Sequence, residues 1–307
     1  MSNSRPNPYF TQLPVILLIL FCLSLSVFSQ ENGEDTIKVE SSIVVLNAAI
    51  TDDKGKAVVN LKEAKFKIFE DGIEQKIEFF ETRETPFAAV ILIDTSGSME
   101  QRISMARSAA INFLDGLRSD DSAAIYNFDS KVSLVQDFSN SRDVAPGVFD
   151  LKADGMTVLN DAVLRAAKEL NRRPEKRKAV IVLSDGADTQ SKISADKALK
   201  AVLAANVTIY TVDMSSGDSG GRERMQSQGA LKNFAEKSGG FFVPAPGGVQ
   251  MREAFKRIVQ ELGAQYTLGY QPSNVKKDGK WRAIELKISQ PNLTIRTRKG
   301  YNAPKDK

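Results

Sequence analysis

Three short stretches carry the residues whose types and spacing could do chemistry: Asp94-Thr95-Ser96-Gly97-Ser98, Gly155-Met156-Thr157 and Ser184-Asp185-Gly186. Carboxylate and hydroxyl oxygens are what a hard divalent cation prefers, and Mg²⁺ in particular wants near-octahedral oxygen ligation and keeps several waters. Two acidic residues would offset the charge of such an ion, while hydroxyls are neutral ligands that leave it electrophilic. Gly97 and Gly155 permit tight backbone turns beside them. The rest of the composition agrees. The 307 residues include 42 Lys+Arg, 38 Asp+Glu, one Cys and no His, for a net charge of +4. Serine–histidine triads, H-E-x-x-H zinc sites and histidine-ligated iron or zinc are thereby excluded. The positive charge is dispersed, so no nucleic-acid-binding arm is indicated.

The elements that must position these residues follow from the apolar pattern. Residues 88–93 form a continuous apolar run, the mark of a strand buried on both faces of a parallel sheet, and 179–183 repeat it. The spacing predicts helices over 103–117, 158–170, 195–205, 231–237 and 249–262, with strands over 123–128, 132–138, 207–212 and 241–243. Alternating strands and helices predict a doubly wound α/β domain with a mostly parallel sheet and helices on both faces. In such sheets ligands collect beyond the carboxyl ends of the strands. The Asp94 and Asp185 stretches end the two buried strands and the Thr157 stretch opens a helix, so all three should meet at one rim. A rim of Ser, Thr and Asp capping helix N-termini is the plainer alternative, but capping does not require this set.

On those residues the chain resembles the von Willebrand factor type A (VWFA) domain. Asp94-x-Ser96-x-Ser98, Thr157 and Asp185 match, in order and at the expected strand ends, its metal-ion-dependent adhesion site. The resemblance covers about residues 86–264. The flanks, with Phe-Lys-Ile-Phe-Glu-Asp-Gly upstream and Gln-Tyr-Thr-Leu-Gly-Tyr and Arg-Lys-Gly-Tyr downstream, are similar to the secreted VWFA-related Acidobacterial domain family. What the resemblance implies is a binding module and not an enzyme. Asp94, Ser96, Ser98, Thr157 and Asp185 would hold Mg²⁺ (or Mn²⁺ or Ca²⁺) directly or through water. A Glu or Asp of a protein partner would complete the shell. A metal-dependent hydrolase and an envelope scaffold with a structural metal are the alternatives. Asp161 and Asp188 are assigned surface or supporting roles. The resemblance also implies that a filled site could shift the final helix, 249–262, which runs almost directly into Tyr266.

The flanking segments, 36–84 and 265–303, show the period-two alternation of strands, broken by turns such as Asp71-Gly72. Neither is large enough to stand alone, so they are expected to pair into one small β-sandwich with 86–264 inserted between them. Residues 30–35 read as a linker and 304–307 as a tail. Residues 1–29 read as an export signal: Arg5, an apolar run over 15–28 shorter than the ~20 residues of a spanning helix, then small residues before Gln30. Retention as an uncleaved anchor is the alternative. Cleavage would remove Cys22 and leave an exported, thiol-free protein in periplasm, on the surface or in the medium, with no stable membrane span. Gly217-Asp218-Ser219-Gly220-Gly221 imitates a serine-protease nucleophile but lacks a histidine base, and reads as a loop near the rim. Ser194-Ala195-Asp196-Lys197 reads as a helix N-cap. Trp281 and Tyr301 are expected to pack in the β-module, and the lysines at 276, 277 and 280 to sit on a solvated turn.

Overall fold

The computed structural model describes residues 43–82, 85–215, 221–244 and 247–306. The expected export segment and linker lie outside the described residues, as does most of the Gly217–Gly221 stretch. Among the described residues, fourteen strands and five α-helices follow in chain order. Strands β1 (Val44–Thr51), β2 (Phe66–Glu70), β3 (Ile73–Gln75) and β4 (Ile77–Glu81) come first. The α/β region comprises β5 (Phe87–Asp94), α1 (Ile103–Asp115), β6 (Ser122–Phe128), β7 (Val132–Ser139), α2 (Leu159–Asn171) and β8 (Arg177–Ser184). It continues through α3 (Ala195–Ala204), β9 (Val207–Asp213), α4 (Arg222–Ser238), β10 (Phe242–Pro244) and α5 (Gly248–Ala264). Strands β11 (Tyr266–Tyr270), β12 (Trp281–Ile288), β13 (Thr294–Arg296) and β14 (Gly300–Asn302) close the fold.

Six strands form the central sheet in the order β10-β9-β8-β5-β6-β7, parallel except where β7 runs antiparallel to β6. The continuous apolar runs are explained by this placement. Ala89, Ile91 and Ile93 of β5 pack under α1 and α5 against Phe113, Phe255 and Ile258. Ala88, Val90 and Leu92 face the other way, against Leu159 of α2, Leu199 of α3 and Phe234 of α4. A strand with helices on both sides has no polar face to display. Parallel pairing aligns the carboxyl ends: Ile93 of β5 lies opposite Leu183 of β8, and Ser184 opposite Asp213 of β9.

The flanks interleave. One four-stranded sheet runs β13-β1-β11-β4 and a second β14-β12-β2-β3, so both mix strands from the two ends of the chain. Their inner faces share a core of Leu46, Ile68, Leu268 and Leu286, with Phe66, Phe80 and Tyr266 in mutual ring contact at 5.0–5.8 Å. The alternation anticipated over 73–80 is divided at Lys76: β3 stays with β2, while β4 crosses to pair with β11. Strand β14 was not anticipated; it is three residues long and pairs with the start of β12. Helix α4 begins at Arg222, well before the anticipated 231, because its first two turns are polar and leave no apolar stripe.

Polar contacts tie the sandwich to the α/β region. Arg177, fully buried at the start of β8, donates to the carbonyls of Leu262 (3.2 Å), Gly263 (3.3 Å) and Gln265 and to Thr267 Oγ1 (3.2 Å). It thereby covers carbonyls at the end of α5 that no further helical turn could satisfy. Glu261 of α5 accepts from the Tyr210 hydroxyl at 3.1 Å and pairs with Arg296 of β13. Arg298 donates to Leu203 O at the end of α3 (2.9 Å) and to Val45 O of β1 (2.7 Å).

Candidate metal centre

Asp94 closes β5 and is completely buried. Its Oδ1 accepts the Ser96 N–H at 2.9 Å and the Ser96 hydroxyl at 2.6 Å, which bends the chain into a turn immediately after the strand. Thr95 fixes that turn from the other side, donating its N–H to Phe128 O at 2.8 Å. Residues Gly97–Met99 wind into a single 3₁₀ turn anchored by the buried Met99, and this presents Ser98 to solvent with its Oγ 3.1 Å from Ser96 Oγ. One aspartate and two serine side chains are thus strung together by hydrogen bonds.

The Thr157 loop is stitched alongside. Asp154 donates its N–H to Thr95 O at 2.8 Å, and Gly97 donates to Gly155 O at 3.2 Å. Gly155 has φ of +78°, a conformation that favours glycine, and a Cβ there would fall 2.7 Å from Ser130 Oγ and displace that hydroxyl. Thr157, only 3% exposed, is pinned by its carbonyl, which accepts the N–H groups of Thr189 and Gln190 at 3.0 Å each. Asp185 follows β8, half-buried, with Oδ1 accepting the Ala187 N–H at 3.2 Å. The five residues singled out from the sequence therefore stand at one rim of the sheet.

A sixth residue joins them. Ser184 is fully buried, donates to Asp94 Oδ2 at 2.5 Å and accepts the Gly186 N–H at 2.9 Å. It couples the Asp94 carboxylate to the loop that carries Asp185. The strand register, which sets Ser184 next to Asp94, is the signal that could have found it; composition could not. Asp161 and Asp188 hold backbone instead: Asp161 Oδ2 accepts the Lys192 N–H at 3.0 Å, and Asp188 accepts those of Asn160 and Ser191, both at 3.1 Å. Ser194 caps α3, accepting from Lys197 N at 3.3 Å.

Burial pushes the Asp94 carboxyl up to about 6, with the negative charge of Asp185 adding to the rise and the Ser184 and Ser96 hydrogen bonds opposing it. Among the described residues Asp94 has no ion-pair partner. A buried carboxylate served only by neutral donors, beside a second carboxylate, is an uncompensated negative site. A divalent cation fits it by charge and by donor type, since every side-chain donor is an oxygen. No group of three or more His, Cys, Asp or Glu suited to a metal occurs among the described residues, so hydroxyls would make up the remaining protein ligands. A hollow of about 660 Å³ opens at the opposite end of the sheet, lined by Phe87, Val259 and Gly263. Its one carboxylate, Asp121, is paired with Arg118 at 2.8 Å, so it is not part of the rim.

Sheet, helices and rim together define a VWFA-like α/β fold with extra antiparallel sheets. Residues 89–187 match the family model of the von Willebrand factor type A domain. An uncharacterized protein of Synechocystis sp. is 29% identical over 109 residues, which span 34% of this chain and 26% of that one. Among solved structures, a von Willebrand factor type A protein from Catenulispora acidiphila is similar with a TM-score of 0.50 and 15% identity, over 88% of this chain and 76% of that one. The vWF domain of the type V pili tip protein Mfa5 from Porphyromonas gingivalis is similar at a TM-score of 0.50 and 13% identity, over 58% of this chain and 95% of that domain. At those identities the likeness is one of fold.

Proposed function

We propose that this chain is an exported, adhesion-type protein-binding module in which Asp94, Ser96, Ser98, Thr157 and Asp185 hold Mg²⁺ and a partner's Glu or Asp completes the coordination. The observation that carries the reading is the fully buried Asp94 carboxylate, hydrogen-bonded only to neutral donors and flanked by Asp185. Two carboxylates would balance the ion's charge, and the hydroxyls, as neutral ligands, would leave it able to accept a carboxylate from a partner. The fold it shares with a pilus tip domain favours a surface setting, and the flanking motifs favour the secreted VWFA-related Acidobacterial family. The described residues include no helix long and apolar enough to cross a membrane.

Calorimetric titration with Mg²⁺ tests the site, and capture of envelope proteins with and without chelator tests the partner. Asp94→Ala should abolish both Mg²⁺ binding and cation-dependent capture while leaving the far-UV spectrum unchanged. Capture that survives both the variant and the chelator would overturn the metal mechanism.

A further inference from the structure

One end of the β-sandwich, built from residues 274–281 and 303–306, carries four exposed lysines: Lys276, Lys277, Lys280 and Lys305. The segment is stapled rather than loose. Arg282, 4% exposed, donates to Lys276 O at 3.2 Å and to Asp278 Oδ1 at 2.9 Å. Asp278 Oδ1 also accepts the Lys280 N–H at 3.0 Å. Ala303 donates to Lys280 O (2.8 Å), Gly279 to Pro304 O (3.0 Å) and Asp306 to Lys277 O (3.2 Å). The charge of Asp278 is committed to Arg282, so Asp306 is the one acidic side chain in these two segments left to oppose four lysines.

Two large apolar side chains stand out from the same end. Val275 is 75% exposed, and Trp281, the only tryptophan in the chain, is 41% exposed. Trp281 is seated on the bare backbone of Gly300, where an added Cβ would come within 2.4 Å of the indole, and not in the sandwich core. A turn serving solubility alone gains nothing from an exposed valine and tryptophan. A soluble polyanion would use the lysines and leave the apolar groups wet. Lysines interleaved with valine and tryptophan match the boundary layer of an anionic bilayer. There ammonium groups meet headgroups, their stems lie along apolar surface, and the indole takes the interface.

We propose that this end of the sandwich docks peripherally on anionic lipid bilayers, with Lys276, Lys277, Lys280 and Lys305 on the headgroups and Val275 and Trp281 in the interface. The surface belongs to the sandwich and owes nothing to the metal rim.

The test uses the full chain with vesicles of equal phosphatidylglycerol and phosphatidylcholine, and with phosphatidylcholine alone. Co-sedimentation measures affinity, and emission from Trp281 reports its surroundings. Expected are binding to the anionic vesicles that weakens with salt, a blue shift of the tryptophan, and roughly a fivefold loss of affinity per lysine neutralised, or about 25-fold for Lys276→Gln with Lys277→Gln. Val275→Ser should weaken binding and reduce the shift. Equal binding to both vesicle types, as the apolar segment at 15–28 alone would give, overturns the proposal. So does unchanged affinity in the double variant. Displacement by polyglutamate with no tryptophan shift would also overturn it, and assign the patch to an anionic polymer.

Discussion

Replacing Arg177 by methionine should destabilise the protein by about 3–5 kcal/mol. Burial pushes the guanidinium down to about 10, which corresponds to roughly 3 kcal/mol against the charged form. Against that stand hydrogen bonds to three carbonyls and one hydroxyl, each worth about 1.5–3 kcal/mol from a charged donor. The bonds exceed the penalty. The lower part of the range applies because methionine fills most of the volume and Thr267 Oγ1 keeps its own bond to Asn47 Oδ1 at 3.0 Å. The buried carbonyls of Leu262 and Gln265 and the half-buried one of Gly263 would lose this donor where α5 runs into β11, so the coupling between the sandwich and the α/β region should also weaken. Urea unfolding followed in parallel by far-UV circular dichroism, dominated by the helices, and by fluorescence of Trp281, in the sandwich, reads both effects. The wild type should give coincident transitions and the variant a lowered midpoint with separated ones. A loss below about 1 kcal/mol with coincident transitions would show that the burial penalty cancels the bonds and that Arg177 does not join the halves.

Ser184→Ala removes the hydroxyl that orients Asp94 Oδ2 and should weaken Mg²⁺ binding about 10- to 100-fold by calorimetry, given about 1.5–3 kcal/mol for a hydrogen bond to a charged group. Ser184→Thr should restore most of it, and unaltered binding in the alanine variant would contradict the orienting role. Glu261 has its carboxyl raised by burial, with Arg296 opposing the rise, so the folded state holds its proton more tightly than the unfolded chain. This proton-linked contribution is full below the unfolded value of about 4.3 and is lost as pH rises through the raised folded value. Glu261→Gln should flatten urea midpoints across that window; an unchanged pH profile would assign the dependence elsewhere. Gly239 ends α4 with φ of +90°, and a Cβ would lie 2.5 Å from Thr297 C. Gly239→Ala should therefore cost upwards of about 2 kcal/mol in chemical denaturation, and a loss within experimental error would mean that the α4–sandwich contact yields freely.

The central sheet could be read from the sequence because β5 and β8 are so apolar that only burial on both faces accommodates them. The rim could be read because Asp94, Ser96, Ser98, Thr157 and Asp185 all follow strands or open helices. Other features depend on contacts distant in sequence. Nothing in the alternation over 73–80 announces that Lys76 is where the chain leaves one sheet for the other. The polar start of α4 has no stripe to betray it, since Arg222, Met225, Gln226 and Gly229 are all exposed. Ser184 looked like part of a Ser-Asp-Gly turn until the register set it against Asp94, and Arg177 gave no local sign that it would cover the end of a helix 85 residues away.

The interleaved sandwich dictates an order of assembly. Strand β1 pairs along its length with β11 and β13, and the Glu70–Tyr270 and Asn47–Thr297 hydrogen bonds span 200 and 250 residues. Closing such loops early would be slow. The α/β region shortens the search, for once it has folded, Phe87 at its start and Gly263 at its end line the same hollow. The first strands must then wait, edges open, until the last forty residues arrive. A chain arrested near residue 265 would hold a folded α/β layer with β1 and β4 lacking their sheet partners and the β2–β3 hairpin lacking β12, the state most prone to pair with its neighbours.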